Sequence, residues 1–291
     1  MRAPVSPADP ILRSRQNPTV QALRRLAASA EARREEIAYL ADGVRLVEEG
    51  VRSGAPITLA VCSPRLLREA RGERLQGALR RAAERLVLAT DEVVAAIVGA
   101  PRHQGVVIRL QLEAAPLATH LDPARSDRAV IACGVQDPGN LGALLRVAAA
   151  SGAGLLVAAT GSADPWSPKA ARASAGALFR LPVARGGDPG TVLAQARAAG
   201  YRVVAAHARG GTPYREVDWG HPTALFLGGE GGGLPEEILE ACDERATIPM
   251  ATEVESLNVL SAATLLLYAA AEASGRRREG SGSRPGAARR R

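Results

Sequence analysis

The apolar positions follow two textures along the chain. Asn17-Pro18 offers an N-cap followed by proline at the first helical position. Val20, Leu23 and Leu26, followed by Ala27 and Ala30, then form a helical stripe. A second helix is predicted over Val44–Val51, ending near Gly54. The run ITLAVC (57–62) reads as a strand, Arg65–Arg85 as a helix, LVLA (86–89) as a strand, Asp91–Val98 as a short helix and Gly105–Leu112 as a strand. Helices alternating with strands imply a small α/β domain over residues 1–112. Residues 113–128 hold two prolines and no period, and are the expected linker.

From residue 129 the strands become wholly apolar. AVIACG (129–134), LLVAA (155–159), Leu181–Ala184, VVAAH (203–207), ALFLG (224–228) and ATIPM (246–250) alternate with helices at Leu141–Ala150, Pro168–Leu178, Thr191–Ala199, Pro235–Ala241 and Val259–Ala273. That texture implies a mostly parallel sheet with helices on both faces, over residues 129–275. Residues 276–291 are mostly Gly, Ser, Pro and Arg and are expected to be a disordered tail.

Composition narrows the class. The chain has 291 residues, 46% of them apolar and only 3% aromatic, so its cores are built from Leu, Val and Ala. No apolar run reaches the roughly 18 residues of a membrane helix, and the N-terminus lacks an apolar stretch of signal-peptide length. Cys62, Cys133 and Cys242 are far apart, which suits neither a metal site nor a disulfide framework. A cytoplasmic protein without membrane or metal is expected. The net charge of +7 divides into +5 over residues 1–125, −4 over 126–275 and +6 over 276–291. A polyanion would be drawn to the front and the tail, although an arginine-rich composition (Lys169 is the only lysine) gives the same bias without one.

Ligand sites of open parallel sheets lie beyond the carboxyl ends of the strands. Three loops there are unusual: Asp137–Gly142, leading to Arg146; Gly228–Gly233, containing Glu230; and Met250–Asn258. The glycine loop fails both phosphate-cradle patterns. A third glycine in G-x-G-x-x-G counted from Gly229 would fall at Leu234, and Gly233 is followed by leucine rather than lysine. Taken singly, each polar residue has a plain structural use. Asn140 could cap the helix at Leu141, Arg146 could be a surface arginine, Glu230 could stabilise the turn or cap the helix near Pro235, and Ser256 or Asn258 could cap the last helix. His103 has no partner ligands. Their shared sheet edge gives these residues weight together.

The segments DPGNLGALLRVAAASGAG, LFLGGEGGGLPEEILEACDERATIPM and VESLNVLSAATLLLYAAA resemble the three motifs of the SpoU/TrmH family of S-adenosylmethionine-dependent RNA 2′-O-ribose methyltransferases. WSPKAARASAGALFRLPV resembles the stretch between the first two. SRQNPTVQALRRL, ADGVRLVEEG and HQGVVIRL are similar to the family's small RNA-binding domain, with Asp42 where glutamate is common. The resemblance runs from about Leu12 to Ala273. It implies a small N-terminal α/β RNA-binding domain followed by a parallel-sheet catalytic domain with a C-terminal trefoil knot. It also implies a homodimer, S-adenosyl-L-methionine as cofactor, and RNA, ribosomal RNA first and transfer RNA second, as substrate. Periodicity shows no knot, and general topology argues against one. By the same resemblance Gly228, Ile248 and Leu257 match positions gripping the donor, while Asn140, Arg146, Glu230, Ser256 and Asn258 match those around the reacting ribose. The family's arginine as base is chemically demanding, because guanidinium groups stay protonated. A clamp on phosphate and ribose is the preferred role for Arg146, with Lys169 a weaker RNA contact. Three alternatives stand: a non-catalytic RNA-binding relative, a dinucleotide oxidoreductase disfavoured by the failed glycine spacing, and a base-methylating relative.

Overall fold

In the computed structural model, residues 11–112, 116–251 and 255–282 are described, the last nine of them as backbone only. The chain divides into two units. The first gathers the described residues of 1–115 with Asp137–Arg146 and Ala163–Arg180; the second holds 116–136, 147–162 and the described residues from 181 on. Asp137–Arg146 and Ala163–Arg180, which follow the first β-strand of the expected catalytic domain, thus group with the N-terminal elements.

The first unit opens with α1 (Pro18–Ala28) and α2 (Ala30–Glu35). Asn17 caps α1 by accepting from the Thr19 N–H at 2.9 Å, and Val20, Leu23 and Leu26 are buried as the stripe requires. Ala30 does not continue that helix. Ser29 is extended (φ −115°) and its Oγ accepts from the Ala32 N–H, starting a new helix. Then come β1 (Ala38–Asp42), α3 (Val44–Arg52), β2 (Ile57–Cys62), α4 (Ala70–Ala82), β3 (Leu86–Leu88), α5 (Asp91–Val98) and β4 (Val106–Gln111). The β1 strand, AYLAD, was not anticipated; its first four residues are all buried, so it shows no alternation. The predicted 65–85 helix is broken at the extended Glu69, with a 3₁₀ turn over Pro64–Arg68 before it. The four strands form a mixed sheet in the order β1-β4-β2-β3, with β4 antiparallel to both neighbours and β2 parallel to β3.

The second unit runs through α6 (Leu117–His120), inside the predicted linker, to β5 (Arg128–Cys133), which leads into α7 (Pro138–Ala150). Next are β6 (Leu155–Ala158), α8 (Pro168–Ala173, in the first unit), β7 (Val183–Arg185) and α9 (Pro189–Ala198). Then β8 (Arg202–Ala206), β9 (Thr212–Pro213), β10 (Thr223–Gly228), α10 (Glu236–Ala241), β11 (Glu244–Thr247) and α11 (Val259–Gly282) complete the chain. All seven strands are parallel, in the order β7-β6-β5-β10-β8-β11-β9. Every residue of β5 is buried, as befits a central strand covered on both faces. Ile131, Val157, Val203 and Phe226 carry the core between them.

Several boundaries move for local reasons. Helix α8 stops early because Ala175 (φ +49°) and Gly176 (φ +93°) turn left-handed. The ATIPM strand begins two residues earlier and ends at Thr247, where Glu244 pairs with Val204 and Pro249 lies ahead. The β9 strand was not anticipated. Helix α11 continues through Gly282, so residues 276–282 are helical rather than a disordered tail; 283–291 lie outside the described residues.

Candidate functional site

The carboxyl ends of β8, β10 and β11 open on one cavity of about 650 Å³ in the second unit. Gly228, Glu230, Ile248, Ser256, Leu257 and Asn258 all line it, so one wall set collects residues from two of the three predicted loops. The glycine loop is at once a turn and a wall. The Gly233 N–H donates to the Gly229 carbonyl at 3.2 Å, and Gly233 has φ +68°. A Cβ on Gly229 would lie 1.8 Å from the Gly134 carbonyl oxygen, so only glycine lets this loop press against the end of β5. A Cβ on Gly231 or Gly232 would meet open space, and Gly232 lines the cavity.

Helix α7 starts at Pro138, three residues before the expected Leu141. Asp137, not Asn140, caps it: its Oδ1 accepts from the Asn140 N–H at 2.9 Å, and its Oδ2 accepts from Lys169 Nζ at 2.5 Å. The Lys169 bond, then the Asn140 N–H, hold the Asp137 carboxyl below the usual carboxylate range. Asn140 is therefore released from the capping role. Arg146 lies six residues further, about 9 Å along the axis. Leu141, Leu144, Leu145 and Ala148 are buried, whereas Arg146 is exposed. Among the described residues Arg146 makes no hydrogen bond or ion pair. Asn140 and Arg146 belong to the first unit, and the cavity to the second.

The capping reading holds for Asn258, whose Oδ1 accepts from the Leu260 N–H at 2.9 Å, leaving its amide N–H groups for other work. It does not hold for Glu230, because α10 is preceded by Pro235 with no side-chain cap. Glu230 is exposed at the cavity. His207, Glu236 and Met250 also line the cavity and were missed. His207 follows β8, so attention to every strand end rather than to glycine-rich loops would have found it.

The cavity lies in the size range of small-ligand sites. Leu227, Ile248 and Leu266 supply apolar wall, and Glu230 and Glu236 supply carboxylates. That donor set fits a flat nucleoside carrying a cationic side chain, and so fits S-adenosylmethionine. Cys133, at the end of β5, is no nucleophile: burial pushes its thiol up to about 12. His103 stands in the first unit, its Nδ1 accepting from the Gly105 N–H. Burial, then Arg65, push its imidazole below the usual range. Among the described residues no three His, Cys, Asp or Glu side chains group as metal ligands, and no helix is long and apolar enough to cross a membrane.

Comparison with known proteins follows the same lines. The family described as "SpoU rRNA Methylase family" matches residues 127–268, and "MRM3-like substrate binding domain" matches residues 17–107. The chain is 30% identical to a Synechocystis protein named "Uncharacterized tRNA/rRNA methyltransferase", over 94% of this chain and 96% of that one. It is 37% identical to the 23S rRNA (guanosine(2553)-2'-O)-methyltransferase of Bacillus subtilis, over 46% of this chain and 54% of that one. The structure is similar to the AdoMet-bound rRNA methyltransferase of Sinorhizobium meliloti, with a TM-score of 0.78 and 30% identity, over 90% of this chain and 97% of that one.

Proposed function

The chain belongs to the SpoU family, with its trefoil-knotted parallel sheet, and is an S-adenosylmethionine-dependent RNA 2′-O-ribose methyltransferase; from that premise we propose that its target is ribosomal RNA and that its residues divide the labour as follows. The cavity beyond β8, β10 and β11 receives the cofactor, with Gly228, Ile248 and Leu257 gripping it; this single cavity carries the reading. S-adenosylmethionine supplies a methyl group already activated by the positive sulfonium. Arg146 clamps the target phosphate and ribose, using a side chain that has no other partner among the described residues. Asn140, Glu230, Ser256 and Asn258 orient the ribose and help remove the hydroxyl proton.

Residues 1–112 hold the RNA, with 113–128 as the linker to the catalytic part, and the arginines beyond residue 275 add affinity for phosphate without reading bases. Ribosomal RNA is favoured because the Bacillus subtilis relative is named for 23S rRNA, and the cytoplasm is the compartment that follows. Incubating the purified chain with S-adenosylmethionine and deproteinised ribosomal RNA, then mapping 2′-O-methylated positions, tests this reading. A single new methylated ribose is expected. Methylation of transfer RNA alone, or of a base, overturns it.

The enzyme acts as a homodimer. Leu265 and Tyr268, one turn apart on α11, are 37% and 46% exposed, an apolar pair that a second copy would cover. Light scattering at micromolar concentration is expected to give twice the chain mass; a monomer throughout refutes the dimer.

A further inference from the structure

His207 stands directly after β8, between the ends of β10 and β11, and its backbone N–H donates to the Ala246 carbonyl at 2.9 Å. Its ring Nδ1 lies against the backbone carbonyl of Arg209. A carbonyl oxygen can only accept, so Nδ1 carries the hydrogen, and the neutral ring keeps its lone pair on Nε2. Among the described residues no other group hydrogen-bonds to this ring. His207 lines the cavity with Gly228 and Ile248. The tautomer set by the Arg209 carbonyl leaves Nε2 as the ring's one acceptor.

We propose that His207 is a cofactor-recognising residue, whose Nε2 accepts a hydrogen bond from an N–H group of S-adenosylmethionine. The proposal rests on the assignment of this cavity to the cofactor. The ligand carries two suitable donors, the adenine amino group and the methionine amino group.

Calorimetric titration of the full chain with S-adenosylmethionine at about pH 8 tests the assignment. His207→Ala is expected to bind about tenfold more weakly, the worth of one hydrogen bond. His207→Gln, whose amide oxygen can accept, should recover part of that affinity. Circular dichroism confirms that both variants fold. Methylthioadenosine, which lacks the methionine amino acid end, identifies the donor. A parallel loss for this ligand assigns the adenine amino group, and an unchanged affinity assigns the methionine amino group. Variants that bind like wild type overturn the role of His207. Wild type that binds no S-adenosylmethionine overturns the cavity assignment itself, and this inference with it.

Discussion

The two units of this chain are fastened by opposite means. In the first, remote segments meet through charge. Arg33 pairs with Asp164 at 2.6 Å and Arg172 with Asp42 at 2.6 Å, and Arg180 pairs with Glu49. Arg33 is almost fully buried, and it also donates to the Leu26 and Ala27 carbonyls. In the second unit the sheet is apolar along its central strands, and the ligand loop is set by missing side chains, as at Gly229. The first arrangement fails when a partner is removed and leaves a charge without water. The second fails when an atom is added. The cofactor cavity is lined wholly by residues of the second unit, whereas Asn140 and Arg146 belong to the first.

The largest expected effect separates these two contributions. Arg146→Ala removes an exposed side chain without a partner among the described residues, so stability should change by less than about 0.5 kcal/mol. Methyl transfer in single turnover should nevertheless fall at least about a thousandfold, as for loss of a contact made in the transition state. Cofactor affinity, read by calorimetry, should stay within about twofold, because every cavity residue lies in the other unit. Near-normal turnover removes Arg146 from the chemistry. Lost cofactor binding erases the division between the units.

The parallel sheet was legible because its strands are wholly apolar and end in glycine or short loops, as at AVIACG and ALFLG. The weaker elements were not. β1 was hidden because its continuous burial shows no alternation and it ends in a charged residue, Asp42, and the break at Glu69 has no proline or glycine beside it. The α7 start was misjudged because Asn140 and Asp137 are both good caps, and only the Lys169 contact and the Asn140 N–H show which one acts. Six of the eight candidate residues share one cavity because they sit on two loops at one sheet edge, which strand order alone implies. His207 escaped notice because it was read as the last residue of the VVAAH strand rather than as the start of a loop. The grouping of 163–180 with the N-terminal elements depends on ion pairs about 130 residues apart in sequence, which no local pattern encodes.

Those ion pairs supply the smaller effect. Asp164 is 11% exposed and Arg33 4%, so Asp164→Ala leaves a guanidinium buried beside the Leu26 and Ala27 carbonyls with its carboxylate gone. Such a loss costs about 3–5 kcal/mol, and the Trp166 N–H loses its Asp164 acceptor as well. The surface pair Arg25–Glu35, at 57% and 56% exposure, is the internal control, and Glu35→Ala should cost no more than about 1 kcal/mol. Urea unfolding of the two variants gives the comparison directly, read as the shift in midpoint at unchanged slope. Replacing both partners, Arg33→Met with Asp164→Leu, should recover part of the loss, because no unpaired charge remains inside although the Leu26 and Ala27 carbonyls lose their donor. If Asp164→Ala costs no more than Glu35→Ala, buried charge does not hold the first unit, and the contrast with the glycine-set second unit disappears.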